Sequence, residues 1–342
     1  MSGAHDHAHR HGHSHGHGHG NGHGNGLSDA GLNRSAALAS IAMSLALIGL
    51  KLWSALATDS TAMLGSLADT VLDFFASLAT LAGVWIAARP ANARHRFGHG
   101  KAEALAAMFQ VVLISISAIS LAVRAVGQLV SGQRTAAAEQ GIAVSLIAIA
   151  ATFALLWWQR RVIRRTGSVA IATDHLHYKS DLVLNLAVIA ALALDQFAGL
   201  GGADSLFGLG IAAWLGWSAW GASQEALDHL MDREWPEEKR ARFVEIARGP
   251  EGLQNMHDLR TRTSGNRDVA QFHVDLPGTM TVSESHDIID RVEHDLCAAF
   301  PNAEILIHID PLGHVDDPGN ELVEADEFGK LAEAAAAAGT TR

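Results

Sequence analysis

Two pairs of residues in this sequence have the types and spacing of metal ligands. Asp69 and Asp73 stand four apart in LGSLADTVLDFFASL, a stretch otherwise built of apolar and small residues. His177 and Asp181 stand four apart in DHLHYKSDLVLN. On a helix, residues i and i+4 share one face. Carboxylates in an apolar helix lose hydration and repel each other, so protons or a cation must neutralise them. If the two helices face each other, three carboxylates and one imidazole converge. Four oxygen and nitrogen donors suit tetrahedral zinc. The carboxylates also admit cadmium, iron(II) or cobalt, while the imidazole disfavours manganese. Taken singly, each residue has another reading: an Asp paired with Lys51 or Arg124, a His bonded to a backbone carbonyl. Asp174 and His175 fall toward the end of the same segment and read as solvated. His175 points about 200° away from His177 around a helix.

These residues need elements to hold them, and the composition says which. The chain has 342 residues, 49% hydrophobic and only 18% charged. Soluble domains carry roughly 25% charge. The apolar residues gather in six segments, 35–58, 62–88, 102–130, 142–158, 169–197 and 206–227. Each approaches or exceeds the roughly 20 residues that cross a bilayer as a helix. Several tryptophans among them are candidate headgroup anchors. The expected architecture is a polytopic α-helical membrane domain of six transmembrane helices over 32–233. Arg89, Arg94, Arg96 and Lys101 load one loop, and Arg160, Arg161, Arg164 and Arg165 another. The three opposite loops offer only Arg134. The positive-inside rule places the two basic loops, and with six spans both termini, in the cytoplasm.

Residues 1–31 form a His-rich tail with nine of the twenty histidines, and its stretch over 4–26 has no apolar residue able to nucleate a core, so the tail is expected to be disordered and able to capture metal. Residues 234–315 read as a small α+β domain in the order α-β-β-α-β. EEKRARFVEIAR is a helix stopped by Gly249-Pro250, and NMHDLRTRTSG and VAQFHVDLP are strands about a Ser264-Gly265-Asn266 turn. Thr281 with Glu284 makes a capping box, and AEILIHID is a third strand. The tail over 316–342 is acidic and ends in an Ala run compatible with a helix. Much of the net charge of −11 comes from the part of the chain after Glu225. No basic patch with interleaved aromatics points to nucleic acid. The single cysteine, Cys297, forms no internal disulfide.

ADTVLD, RFGHGKAE, HYKSD, HDLRTR and IHIDP, in this order and spacing, resemble the cation diffusion facilitator family, in particular its bacterial homodimeric zinc/proton antiporters. The resemblance covers roughly residues 35–312. It implies that Asp69, Asp73, His177 and Asp181 are the transport site. It implies a metallochaperone-like cytoplasmic domain in which His257, His273, His286, His308 and Asp310 hold zinc near a dimer interface, with Asp310 bridging. It also implies that Lys101 and Asp232 form a charge pair locking the dimer. His95 and His99 match a further loop site, but Asn92 stands where some relatives have Asp. That leaves a weak metal site or ordinary loop packing.

The expected function is a proton-coupled divalent cation efflux transporter of the inner membrane, not an enzyme. Zinc would be both substrate and a bound structural or regulatory ion, with protons as counter-substrate and a homodimer in the lipid bilayer. No P-loop appears, so ion gradients must drive transport. No HExxH appears, which argues against an intramembrane metalloenzyme. The alternative is a membrane-anchored metal sensor without transport, although a sensor needs no ligands at bilayer depth.

Overall fold

The computed structural model describes residues 23–58, 61–131, 142–198, 203–249, 253–313 and 326–339. Most of the His-rich tail, residues 1–22, lies outside them. The apolar segments fold as six long helices: α1 (His23–Thr58), α2 (Thr61–Ala87), α3 (Lys101–Ser131), α4 (Ile142–Thr166), α5 (Val169–Ala198) and α6 (Ala203–Leu230). Among the described residues, three stretches are long and apolar enough to cross a membrane: Asp29–Trp53, Thr70–Ala87 and Lys101–Ser131.

The helices pack with small polar residues inside and large apolar ones outside. Ser40, Ser44, Ser77, Thr80, Gln110 and Gln159 are buried, whereas Leu45, Trp53, Phe109, Ile119, Trp217 and Trp220 are exposed. Water would not tolerate so much exposed apolar surface, but lipid does. Where large residues do not drive contact, small ones let backbones approach. Ala36, Ala37, Ala76, Ala107 and Ala170 fill these seams. At Gly83 α2 and α3 approach so closely that a Cβ there would lie 2.5 Å from Ala106 Cβ.

Two helices extend past their expected ends because the extra turns have partners. α1 starts twelve residues before position 35, inside the expected tail. Asn33 donates to Glu103 Oε1 at 3.4 Å, and Asp29 lies 3.6 Å from Arg165. α4 carries its basic run as helix up to Thr166, beyond the expected end at 158.

The C-terminal domain follows the expected order: α7 (Glu237–Ala247), β1 (Gln254–Ser264), β2 (Arg267–Leu276), α8 (Val282–Ala299) and β3 (Ala303–Pro311). The sheet order is β1-β2-β3, with β1 antiparallel and β3 parallel to β2. Phe243, Phe272, Val274, Leu276 and Leu296 form the core between the sheet and the helices. The capping box at Thr281 and Glu284 is present in both directions. Accepting the Thr281 backbone N–H and hydroxyl holds the Glu284 carboxyl below the usual carboxylate range. Burial, and then the Glu293 carboxylate, push the Cys297 thiol up. The domain also runs past the expected boundary at 315. α9 (Glu327–Gly339) adds Phe328 to the core and Glu327 to an ion pair with Arg240 at 3.5 Å.

Candidate metal centres

The first centre lies between α2 and α5. Asp73 and His177 project from facing sides of the two helices, and His177 Nε2 lies 2.9 Å from Asp73 Oδ1. The same Nε2 lies 3.8 Å from Asp181 Oδ2, one helical turn on. Ligand atoms of Asp73, His177 and Asp181 all fall within 4.8 Å of one another. A tetrahedral zinc ion with bonds of about 2.0–2.2 Å separates its donors by roughly 3.3–3.6 Å. The two observed distances bracket that value. The side chain of Asp69 lies outside the described residues. Lys51 donates to Thr70 Oγ1 at 2.6 Å.

Tyr178 fixes the neighbourhood of this centre. Its hydroxyl donates to the Ser40 carbonyl at 3.0 Å, which uses its one proton. Ser77, 2.9 Å away, must therefore donate to the Tyr178 oxygen. α5 is thereby tied to α1 and α2 one residue from His177.

Asp174 departs from its expected solvation. It is fully buried. Its Oδ2 accepts from Ser40 Oγ at 2.6 Å and Gln159 Nε2 at 2.7 Å, and its Oδ1 from Gln110 Nε2 at 2.9 Å. The donors come from α1, α4 and α3, so the helix bundle closes over a position that reads as a span end. His175 is partly buried, with Nδ1 3.3 Å from Gln159 Oε1, and stays outside the centre. Glu103 is buried too, accepting from Ser168 Oγ at 2.5 Å. Polar residues in otherwise apolar segments were the available signal for both.

The second centre is assembled by strand register. His257 on β1 pairs with His273 on β2, and His273 with His308 on β3. The three imidazoles therefore form one row across the sheet. His273 alternates with the core-facing Phe272 and Val274, so the row lies on the sheet face away from the helices. Asp310, two residues after His308, shares that face. Asp310 Oδ2 lies 2.8 Å from His273 Nδ1 and 3.6 Å from His257 Nε2, and its Oδ1 lies 3.4 Å from His308 Nε2. Irregularities in the register on both sides of His257, with Asn255 and Asp258 at positive φ, aim its ring. His257 Nδ1 donates to the Asn255 carbonyl at 3.1 Å, which leaves the Nε2 lone pair facing Asp310. Both carboxylate oxygens thus face imidazoles, and ligand atoms of His257, His273 and Asp310 all lie within 4.8 Å of one another. His286 stands apart on the exposed surface of α8, 3.6 Å from Asp290.

In the loop between α2 and α3, the His95 and His99 rings lie with centroids 4.6 Å apart and their planes tilted by 45°. Asn92 Oδ1 accepts the backbone N–H groups of Arg94 and His95, both at 2.9 Å. Its oxygen is therefore engaged in the turn, and its amide nitrogen faces His99 Nε2 at 3.4 Å. Lys101 and Asp232 form an ion pair of 3.0 Å within one chain, which Arg262 of the C-terminal domain joins at 3.3 Å.

The chain is similar to known proteins over most of its length. Residues 37–231 match the cation efflux transmembrane domain. Residues 235–312 match the cytoplasmic domain of cation efflux proteins. The chain is 40% identical over 276 residues to the cation-efflux pump FieF of Klebsiella pneumoniae subsp. pneumoniae, covering 81% of this chain and 92% of the pump. It is 39% identical over 278 residues to the FieF of Yersinia pestis, with the same coverage. A solved structure of CzrB in its zinc form is 33% identical, covering 25% of this chain and 99% of that one, with a TM-score of 0.23.

Proposed function

Because the chain belongs to the cation diffusion facilitator family, and so is a membrane transporter for divalent metal efflux rather than an enzyme, we propose that its cargo is zinc, exchanged for protons at Asp69, Asp73, His177 and Asp181. The observation that carries this reading is the meeting of Asp73, His177 and Asp181 between α2 and α5 at donor spacings that suit tetrahedral zinc. One imidazole among carboxylates selects zinc over manganese, with cadmium, iron(II) and cobalt as lesser substrates. Binding needs deprotonated carboxylates and a neutral imidazole nitrogen, so metal loading releases protons and protonation from outside releases metal. All six helices span the inner membrane with both termini cytoplasmic, and access alternates by rocking of the bundle about the site.

The C-terminal domain binds zinc through His257, His273, His308 and Asp310, dimerises, and biases the transporter according to cytoplasmic metal. His286, remote from that row within one chain, contributes only if the dimer brings it to a second copy. Lys101 and Asp232 brace the two membrane domains, and His95 and His99 form at most a weak loop site. Asp310→Ala should abolish the two-ion site, since both its oxygens face imidazoles. Isothermal titration of the intact chain with zinc should then lose the binding phase that wild type shows for this domain, while transport-site binding persists.

Labelled flux into proteoliposomes tests the main reading. Zinc should move fastest, cadmium, iron and cobalt more slowly, and manganese least. Zinc binding without flux would instead make the protein a membrane-anchored sensor.

A further inference from the structure

Asp174 is a fully buried carboxylate with three side-chain hydrogen-bond donors, and zinc coordination at Asp69, Asp73, His177 and Asp181 gives it no task. Its partners are three neutral side chains, Ser40, Gln110 and Gln159, each on a different helix. The cluster continues outward. Gln159 Nε2 also lies 3.0 Å from Ser40 Oγ, and Gln110 Nε2 donates to Thr80 Oγ1 of α2 at 2.5 Å. Four of the six long helices therefore meet at one carboxylate, and Gln110 links a fifth, α2, to the cluster. Burying a charge costs several kcal/mol unless its hydrogen bonds are well made, and such bonds are the stronger, more directional kind.

Position explains what those bonds accomplish. Asp174, His177, Tyr178 and Asp181 follow at i, i+3, i+4 and i+7, so all four share one face of α5. Asp174 stands about 4.5 Å along the axis from His177. Turning α5 by about 20° carries a side-chain tip, roughly 5–6 Å from the axis, through about 2 Å. A metal site tolerates only about 0.5 Å. Tyr178 ties α5 to α1 and α2 on the C-terminal side of His177, and the three directed hydrogen bonds to Asp174 tie it to α1, α3 and α4 one turn earlier, so the two together resist rotation.

We propose that Asp174 is a positioning residue for the transport site: its buried carboxylate clasps α1, α3 and α4 to α5 and so sets the rotation at which His177 faces Asp73. This rests on the zinc-transport reading. It differs from simple electrostatic attraction of the cation, because hydrogen-bond donors as well as the charge are required.

The test is zinc transport by Asp174→Ala, Ser40→Ala and Asp181→Ala in proteoliposomes, with KM and maximal rate separated. Asp174→Ala is expected to raise the zinc KM at least about tenfold, the scale on which groups supporting metal ligands act. Ser40→Ala keeps the carboxylate and removes one clasp, and it should raise KM in the same direction by less. Loss of folded protein alone would lower the maximal rate and leave KM unchanged. If Asp174→Ala does not reach the membrane, Ser40→Ala decides alone. An unchanged KM in Ser40→Ala overturns the inference. If Asp181→Ala transports as wild type, the site reading itself fails and the inference with it. If Asp181→Ala is inactive while the other two keep the wild-type KM, only the inference fails.

Discussion

Asp73→Ala is expected to lower zinc flux at least about a hundredfold. Zinc held by four protein ligands gains roughly 10–16 kcal/mol, so one ligand accounts for about 2.5–4 kcal/mol, or a factor of 10² to 10³. Among the described residues, Asp73 is also the carboxylate nearest His177, at 2.9 Å. Removing it takes away a ligand and the contact that orients the imidazole. The measurement is initial zinc uptake at a fixed concentration below the wild-type KM. Because Asp73→Ala removes a charge from a hydrocarbon-buried helix, it should insert as well as wild type, and reduced expression would not account for the loss. Flux within a few-fold of wild type would mean that the ion passes elsewhere.

The second large effect concerns the gradient. Each proton exchanged per zinc ion is worth about 1.4 kcal/mol per pH unit, or tenfold in the metal ratio at steady state. Vesicles with an acidic interior, loaded with transporter whose cytoplasmic side faces out, should accumulate zinc. An ionophore that dissipates the pH difference should return the ratio toward unity. The sign follows from the ligands. Zinc requires carboxylates and imidazole without protons, so its affinity rises with pH and falls on the acidic side, where it is released. Accumulation indifferent to the pH difference would separate transport from protonation.

The meeting of Asp73 with His177 and Asp181 was legible in the sequence because carboxylates stand out in apolar helices and the i,i+4 rule places His177 and Asp181 on one face. The C-terminal centre was not. Nothing in the spacing of His257, His273 and His308 joins them; the register of three strands does, helped by the irregularities around His257. Periodicity predicts that a strand exists and which face a residue takes, but not which residue of another strand stands opposite. The resemblance supplied that link. It also grouped His286 with the row, and within one chain that residue stands alone with Asp290.

Asp174 shows the other limit. A position near the end of a hydrophobic run reads as solvated, yet Ser40, Gln110 and Gln159 close over it from helices distant in sequence. Single-segment reasoning sees the apolar run and not the polar seam on the neighbouring helix. The same holds for Glu103, buried against Ser168 and Asn33. The ends of α1 and α4 were misplaced for a related reason. Hydropathy marks where a helix becomes apolar, whereas tertiary partners such as Glu103 for Asn33 keep it helical further out.

Anomalous diffraction at the zinc edge from crystals of the zinc-loaded protein would reach the central claim most directly. A peak is expected between α2 and α5, about 2.0–2.2 Å from carboxylate oxygens of Asp73 and Asp181 and from His177 Nε2. Zinc density confined to the C-terminal domain, with α2 and α5 empty under conditions that support flux, would contradict it.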